Sequence, residues 1–274
     1  MINLYPAKEL RLPVIAENIT PDVFRDKTRA EIGELRIWEG NKQRKLRELF
    51  KVEEIKTESQ PEKPTITIHG DVSKVRRIGA NMTVGEISVH GDVGMHLGEE
   101  MKGGKITVHG KVGGWAGSMM KGGTIEIHGN VSNYLGAPYR GSSQGMRGGK
   151  IIVHGDAGNE AGAYMKKGII KIHGNTGQFA GLRMHNGTIY VQKDCEGRAG
   201  ACMTGGKIVV GGFLESVLPT FTIEGIKKKV KIEENERVEG PFYLFLGDLT
   251  ENGKGKLYVS QEKNPQLDHY ENLL

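Results

Sequence analysis

The residues with the greatest capacity for chemistry in this chain are its histidines. Six of the nine recur at regular spacing: His69, His90, His109, His128, His154 and His173. If the segments carrying them stack as adjacent strands, neighbouring imidazoles lie about 4.8 Å apart along one edge. Such a row invites two readings, a metal ribbon or a proton relay. Metal ligation needs nitrogens converging on one point at roughly 2 Å, and a straight row does not converge. The row is therefore read as structural, a stack of neutral imidazoles at one corner.

A second row is basic: Lys102, Lys121, Arg147 and Lys166, continued in register by His185 and Thr204. It is either a solvated face or a surface that docks an acidic partner or an anionic cofactor tail. The segment NYLGAPYRGSSQG, residues 133–145, holds Tyr134, Tyr139 and Arg140, types enriched at interface hot spots. Together with the basic row these are the candidate partner-contact residues. Cys195 and Cys202 lack C-x-x-C spacing and read as structural thiols. The glycines from Gly98 to Lys105 imitate a phosphate loop, but no Ser or Thr follows the lysine and the segment leads into a strand instead of a helix. No Ser-His-Asp set, zinc motif or carboxylate pair stands out. No catalytic, cofactor-binding or metal-ligating residue is assigned.

The elements that must position these residues come from a repeat. Seven 13-residue units follow G-x-x-M-x-x-G-x-I-x-(V/I)-x-G with few departures, at 79–91, 98–110, 117–129, 143–155, 162–174, 181–193 and 200–212. A degenerate copy, TITIHG, precedes them and ends at Gly70. The histidine series continues through Gln192 and Gly211 with a period of 19; two extra residues follow Gly70 and seven fall within 133–145. Inside each unit β-branched residues alternate with polar ones, as in Ile106-Thr107-Val108-His109, which places one face inward. Glycine pairs such as 103–104 and 122–123 precede the strands and supply turns. A unit this short cannot bury its apolar face alone and must stack on its neighbours.

The expected fold is all-β: a single-stranded parallel β-helix of about seven coils over residues 65–212, a prism on the order of 35 Å long at one strand spacing per coil. Met82, Met101, Met120, Met146, Met165, Met184 and Met203 form one inward row. The isoleucines from Ile87 to Ile208 form a second, and the positions from Val89 to Val210 a third. Residues 1–64 read as an N-terminal α/β capping and interaction region, with a helix begun by Thr20-Pro21, a strand over 33–39 and a charged stretch to Pro64. Residues 213–274 read as a C-terminal capping and partner-contact region, with strands at 221–223 and 243–246 and a polar tail. Both flanks are expected to cover the open ends, whose unpaired backbone invites aggregation.

Composition narrows the function class. There are 38 basic and 33 acidic side chains for a formal net charge of +5 over 274 residues, too mild for a nucleic-acid reader. Glycine, at 41 residues, is about twice the roughly 7% of ordinary proteins, without collagen's three-residue period. Two cysteines suit a reducing compartment. The N-terminus lacks a signal-peptide core, and no run nears the roughly 18 apolar residues of a membrane span. A cytoplasmic location is expected, with no nucleic-acid or membrane partner.

The 13-residue unit, with Met at its fourth position and I-x-V-H-G closing it, resembles the repeat found in the C subunit of formylmethanofuran dehydrogenase. The resemblance covers the array, and extends more loosely to Trp38–Gly40 and Leu46–Val52. The same glycine-rich β-helix is similar to the C-terminal domain of the glutamate synthase large subunit, although there it is fused to catalytic domains too large for this chain. The first resemblance implies a complex that reduces CO2 and attaches it to methanofuran as N-formylmethanofuran, the first step of methanogenesis from CO2. It implies partners carrying the chemistry: a tungsten- or molybdenum-pterin subunit with iron–sulfur clusters, an amidohydrolase-like subunit with a metal pair, and ferredoxin-type subunits. For this chain it implies no bound cofactor and a structural role. Two alternatives stay open, a separately encoded glutamate-synthase-like domain and a stand-alone ligand-binding solenoid. A hexapeptide-repeat acyltransferase is disfavoured because 19 is not a multiple of six.

Overall fold

The computed structural model describes residues 1–55 and 64–274, so the charged stretch ending at Pro64 lies mostly outside the described residues. Among the described residues, most ordered structure is β, and thirteen strands join in one sheet. In chain order they are β1 (Ile2–Pro6), β2 (Phe50–Glu54), β3 (Thr65–His69), β4 (Glu86–His90), β5 (Lys105–Val108), β6 (Thr124–Ile127) and β7 (Arg147–Val153). Then follow β8 (Lys167–Ile172), β9 (Thr188–Val191), β10 (Lys207–Val210), β11 (Thr222–Glu233), β12 (Glu236–Gly247) and β13 (Gly255–Ser260).

From β3 to β10 each strand pairs in parallel with the next, and the register advances one repeat at a time: Ile66, Ile87, Ile106, Ile125, Ile151, Ile170, Ile189 and Ile208 are successive partners. A second parallel row runs through single bridges, Val72–Val93–Val112–Val131–Ala157–Thr176–Cys195–Leu214. Further backbone bonds join Gly98, Gly117, Gly136, Gly162, Gly181 and Gly200 to the preceding repeat, as from Gly98 N to Ile78 O and from Gly117 N to Leu97 O, while Gly79 N bonds Ile19 O. Every repeat thus bonds to its neighbours along three separate lines.

The alternation read from the sequence decides what lies inside. All seven repeat methionines have 0% exposure, and the isoleucine row is no more than 1% exposed. Each such side chain contributes about 1.5–3 kcal/mol by leaving water. The glycine pairs have distinct duties. Gly123 has φ +84°, and a Cβ on Gly122 would collide with the carbonyl oxygen of Lys102 in the preceding repeat.

The flanks extend this sheet. β1 pairs in parallel with β3 and antiparallel with β2. Val14–Ile15 pairs with Val75–Arg76 in a smaller sheet that also holds Arg36–Glu39 and Lys42–Lys45. The expected helix start is present: Thr20 caps Pro21–Phe24 by accepting the Val23 N–H. The strand expected over 33–39 is shorter, because Gly33 ends the helix Arg29–Gly33 and pairing begins at Arg36.

At the other end the structure holds more than a polar tail. β13 pairs in parallel with β10, continuing the ladder without the repeat motif. The short strands expected at 221–223 and 243–246 belong to a long antiparallel hairpin, β11–β12. Val230, Ile232 and Phe242 of this hairpin pack on Tyr190 and Val209, outward residues of β9 and β10. Glu233 ion-pairs Lys150 and Lys171 from β7 and β8, and Lys171 also reaches Glu236. The bridge row ends at Leu214, whose N–H donates to Asn264 Oδ1 at 2.8 Å while Gln266 Nε2 donates to its carbonyl at 3.0 Å. These amides take the place of a further strand and satisfy backbone groups that would otherwise be unpaired.

Candidate functional site

Each repeat passes through left-handed backbone two residues before a glycine. In order these residues are Arg77, His96, Trp115, Tyr134, Glu160, Phe179 and Arg198, with φ between 60° and 70°. A non-glycine residue in this region costs roughly 1–2 kcal/mol, yet large side chains fill the column. Stacking repays part of that cost. His96 lies parallel to Trp115 at 5.4 Å, Trp115 stacks on Tyr134 at 4.4 Å, and the Arg198 guanidinium covers Phe179 at 5.1 Å. Of this column only Tyr134 is among the candidates drawn from sequence. The others are visible there as bulky residues two before a glycine, 19 apart except across the insertion.

The insertion folds back over this column. Tyr139 is 56% exposed, and its ring reaches His96, two repeats earlier, at a centroid distance of 5.9 Å. Arg140 beside it is exposed. Tyr139 separates two openings. One, of about 280 Å3, lies behind the loop against Trp115, Tyr134 and Tyr164. The other, of about 430 Å3, is lined by Ile15, Arg76, Arg77, His96, Glu99, Met119 and Tyr139. In it Arg77 bridges Glu99 at 3.0 Å and Glu17 at 3.2 Å. His96 Nδ1 lies 3.7 Å from Glu99, beyond hydrogen-bond reach. Burial lowers the His96 pKa, helped by Arg77 and Arg76, so the ring is held neutral. Burial also raises the Glu99 carboxyl, outweighing the stabilising charge of Arg77.

The basic row is divided. Lys102 and Arg147 are exposed, whereas Lys121 pairs with Glu100 at 2.6 Å and Lys166 donates to Gln144 of the insertion at 3.1 Å. The row and the loop therefore meet at Lys166, and Tyr134, Tyr139 and Arg140 sit on the aromatic column.

The six histidines stack in one file, neighbours 4.6–5.5 Å apart and within 17° of parallel. Tyr5 closes one end at 4.4 Å, and Gln192 hydrogen-bonds His173 at 2.7 Å at the other. The Tyr5 contact spans strands distant in sequence, so no local pattern reveals it. Among the described residues one trio, Glu126, His128 and His154, brings three possible metal-ligand atoms near each other. Its two rings are parallel at 4.7 Å. Their in-plane lone pairs run side by side, so the donor set does not fit a metal centre. Cys195 is buried, which pushes its thiol up to about 12 and leaves it inert.

Comparison with known proteins places this architecture. The chain is 52% identical over 265 residues to the C subunit of the tungsten-containing formylmethanofuran dehydrogenase 2 of Methanococcus maripaludis, covering 94% of this chain and 96% of that relative. The chain belongs to the family of formylmethanofuran dehydrogenase C subunits. The C subunit of the molybdenum-containing formylmethanofuran dehydrogenase 1 of Methanothermobacter marburgensis is 43% identical over 95 residues, 35% of this chain and 23% of that relative. No protein-family model matches the chain. A chain of the formyltransferase/hydrolase complex FhcABCD from Methylorubrum extorquens, solved with methylofuran, is similar with a TM-score of 0.83 and 29% identity, covering 94% of this chain and 99% of that one. As a member of this family, the chain is a component of a multi-subunit oxidoreductase complex. Among the described residues no helix is long and apolar enough to cross a membrane.

Proposed function

We propose that this chain is the non-catalytic structural subunit of a formylmethanofuran dehydrogenase complex. In this reading the repeats wind as a single-stranded parallel β-helix of about seven coils over 65–212, with 1–64 and 213–274 as capping and partner-contact regions. The complex reduces CO2 and attaches it to methanofuran as N-formylmethanofuran, opening methanogenesis from CO2 in the cytoplasm. Its tungsten- or molybdenum-pterin, iron–sulfur clusters and metal pair reside on the pterin, ferredoxin-type and amidohydrolase-like partners. The parallel histidines and the inert Cys195 on this chain suit none of those groups.

The observation that carries this reading is the repeat-by-repeat ladder, whose isoleucine row stays paired from β3 to β10. Each repeat is bonded to the next along three lines, with an apolar core of methionine and isoleucine between them. A stack whose backbone groups are paired with its neighbours resists bending and shear. Two active sites that hand on an intermediate such as formate need a fixed separation, which such a body supplies. The likeness to a chain from a formyltransferase/hydrolase complex adds support. A fold shared between that complex and a dehydrogenase fits a task common to both, holding subunits, better than reduction itself.

Affinity purification of the tagged chain from native anaerobic extract, with subunit identification and metal analysis, tests the assignment. Co-purification of a pterin–metal subunit and an amidohydrolase-like subunit is expected, with the metals following those partners. Recovery of a lone, metal-free chain would remove the assignment.

A further inference from the structure

The cavity beneath Tyr139 leaves one arginine and one buried imidazole nitrogen without partners among the described residues. Arg77 is committed to Glu17 and Glu99. Arg76, half-buried on the same wall, has no ion pair and no side-chain hydrogen bond among the described residues. His96 Nδ1 in that wall, and Trp115 Nε1 on the ring stacked behind it, are buried without hydrogen-bond partners. Buried polar atoms are ordinarily bonded, and leaving one unpaired is costly. The rim is apolar and open: Ile15 and Tyr139 are both exposed, from the N-terminal region and the insertion respectively.

We propose that this cavity is the socket for an acidic side chain of a neighbouring subunit of the complex. Its carboxylate pairs with Arg76, while Ile15 and Tyr139 pack against apolar residues flanking it. An anion suits Arg76 because both glutamates at the site are already engaged by Arg77. Arginine with aromatic residues around a small recess is the composition of an interface hot spot. The insertion itself supplies Tyr139, at the place where a solenoid's added loop marks its binding face. The socket rests on the reading of this chain as a subunit-holding scaffold, and it names where one partner is held.

The test uses the assembled complex, purified through a tag on another subunit. Arg76→Glu is expected to lower the recovery of this chain at least tenfold at fixed salt. Arg76→Lys keeps much of it, and Lys74→Glu, whose side chain lies outside the cavity, leaves it unchanged. A photo-crosslinking p-benzoylphenylalanine in place of Tyr139 is expected to link to an acidic segment of another subunit. Undiminished recovery of Arg76→Glu, or crosslinks confined to this chain, would overturn the socket. So would an Arg76-dependent rise in melting temperature with inorganic phosphate while the Arg76→Glu complex assembles normally, which would make the cavity a small-anion site. Should assembly tolerate Arg76→Glu yet fail when one whole repeat is removed, the socket falls and the scaffold stands.

Discussion

At the scale of single residues, a tight constraint falls on glycines that lie against the preceding repeat. Gly122 lies against the Lys102 carbonyl, and its neighbour Gly123 occupies left-handed backbone. Gly122→Ala is expected to destabilise the chain by about 2–3 kcal/mol through overpacking against a backbone that cannot yield, read as a lowered midpoint in denaturant. The histidine file makes a second prediction. The pKa of His109 is lowered by burial, and further by His90 and His128, with Glu126 opposing. Because the folded state takes up a proton less readily than the unfolded chain, this contribution is intact above the ordinary histidine value near 6.5. It is lost as pH falls through the depressed folded value. Between pH 7.5 and 5.5 the melting temperature is expected to fall slightly, because His109 is exposed and solvent screens the effect. His109→Gln should flatten that slope. The glycine pairs and the histidine period are readable from the sequence because each recurs every 19 residues. Tyr5 and Asn264, which close the ends of two rows, are not. Each acts once, on a strand far away in the chain, and leaves no period to detect.

At the scale of elements, the hairpin β11–β12 shows how a covered face alters a sequence. β4 to β6 alternate strictly, with Ser88, Thr107 and Glu126 outward. In β9 and β10 the corresponding outward residues are Tyr190 and Val209, both buried under the hairpin. The loss of alternation in TIYV and KIVV is therefore a signal that something packs there. What packs there is not readable, since the hairpin returns from beyond the array. Glu233 secures the tip. Its pKa is pulled down to about 2 by hydrogen bonds from Lys150 and Lys171, and the Lys171 side chain is only 8% exposed. Glu233→Gln leaves Lys171 buried with Glu236 as its remaining acidic partner, and is expected to cost about 2 kcal/mol. Hydrogen exchange should locate the loss in hairpin amides, with those of β5 and β6 unchanged. Above pH 5 the ion pair is fully formed; acidification through the range from about 4.3, the ordinary glutamate value, toward the folded value of about 2 removes its contribution.

At the scale of the whole molecule, the sequence period predicts length, and length is what a scaffold supplies. The partner-contact residues proposed from sequence do share a region, because the insertion folds back onto the aromatic column and touches the basic row at Lys166. The cavity that Tyr139 borders is not readable, since Ile15 and Arg76 come together through the pairing of Val14–Ile15 with Val75–Arg76. The central claim is that this chain sets the distance between subunits and performs no chemistry. It is tested most directly by removing residues 175–193, one full period, from the chain within the complete complex. The cut joins Gly174 to Asp194, preserves the inward rows, and shortens the stack by one strand spacing of about 4.8 Å. The account predicts a chain that still melts cooperatively, in a complex that fails to assemble or no longer forms N-formylmethanofuran from CO2. Normal assembly with normal activity would contradict it.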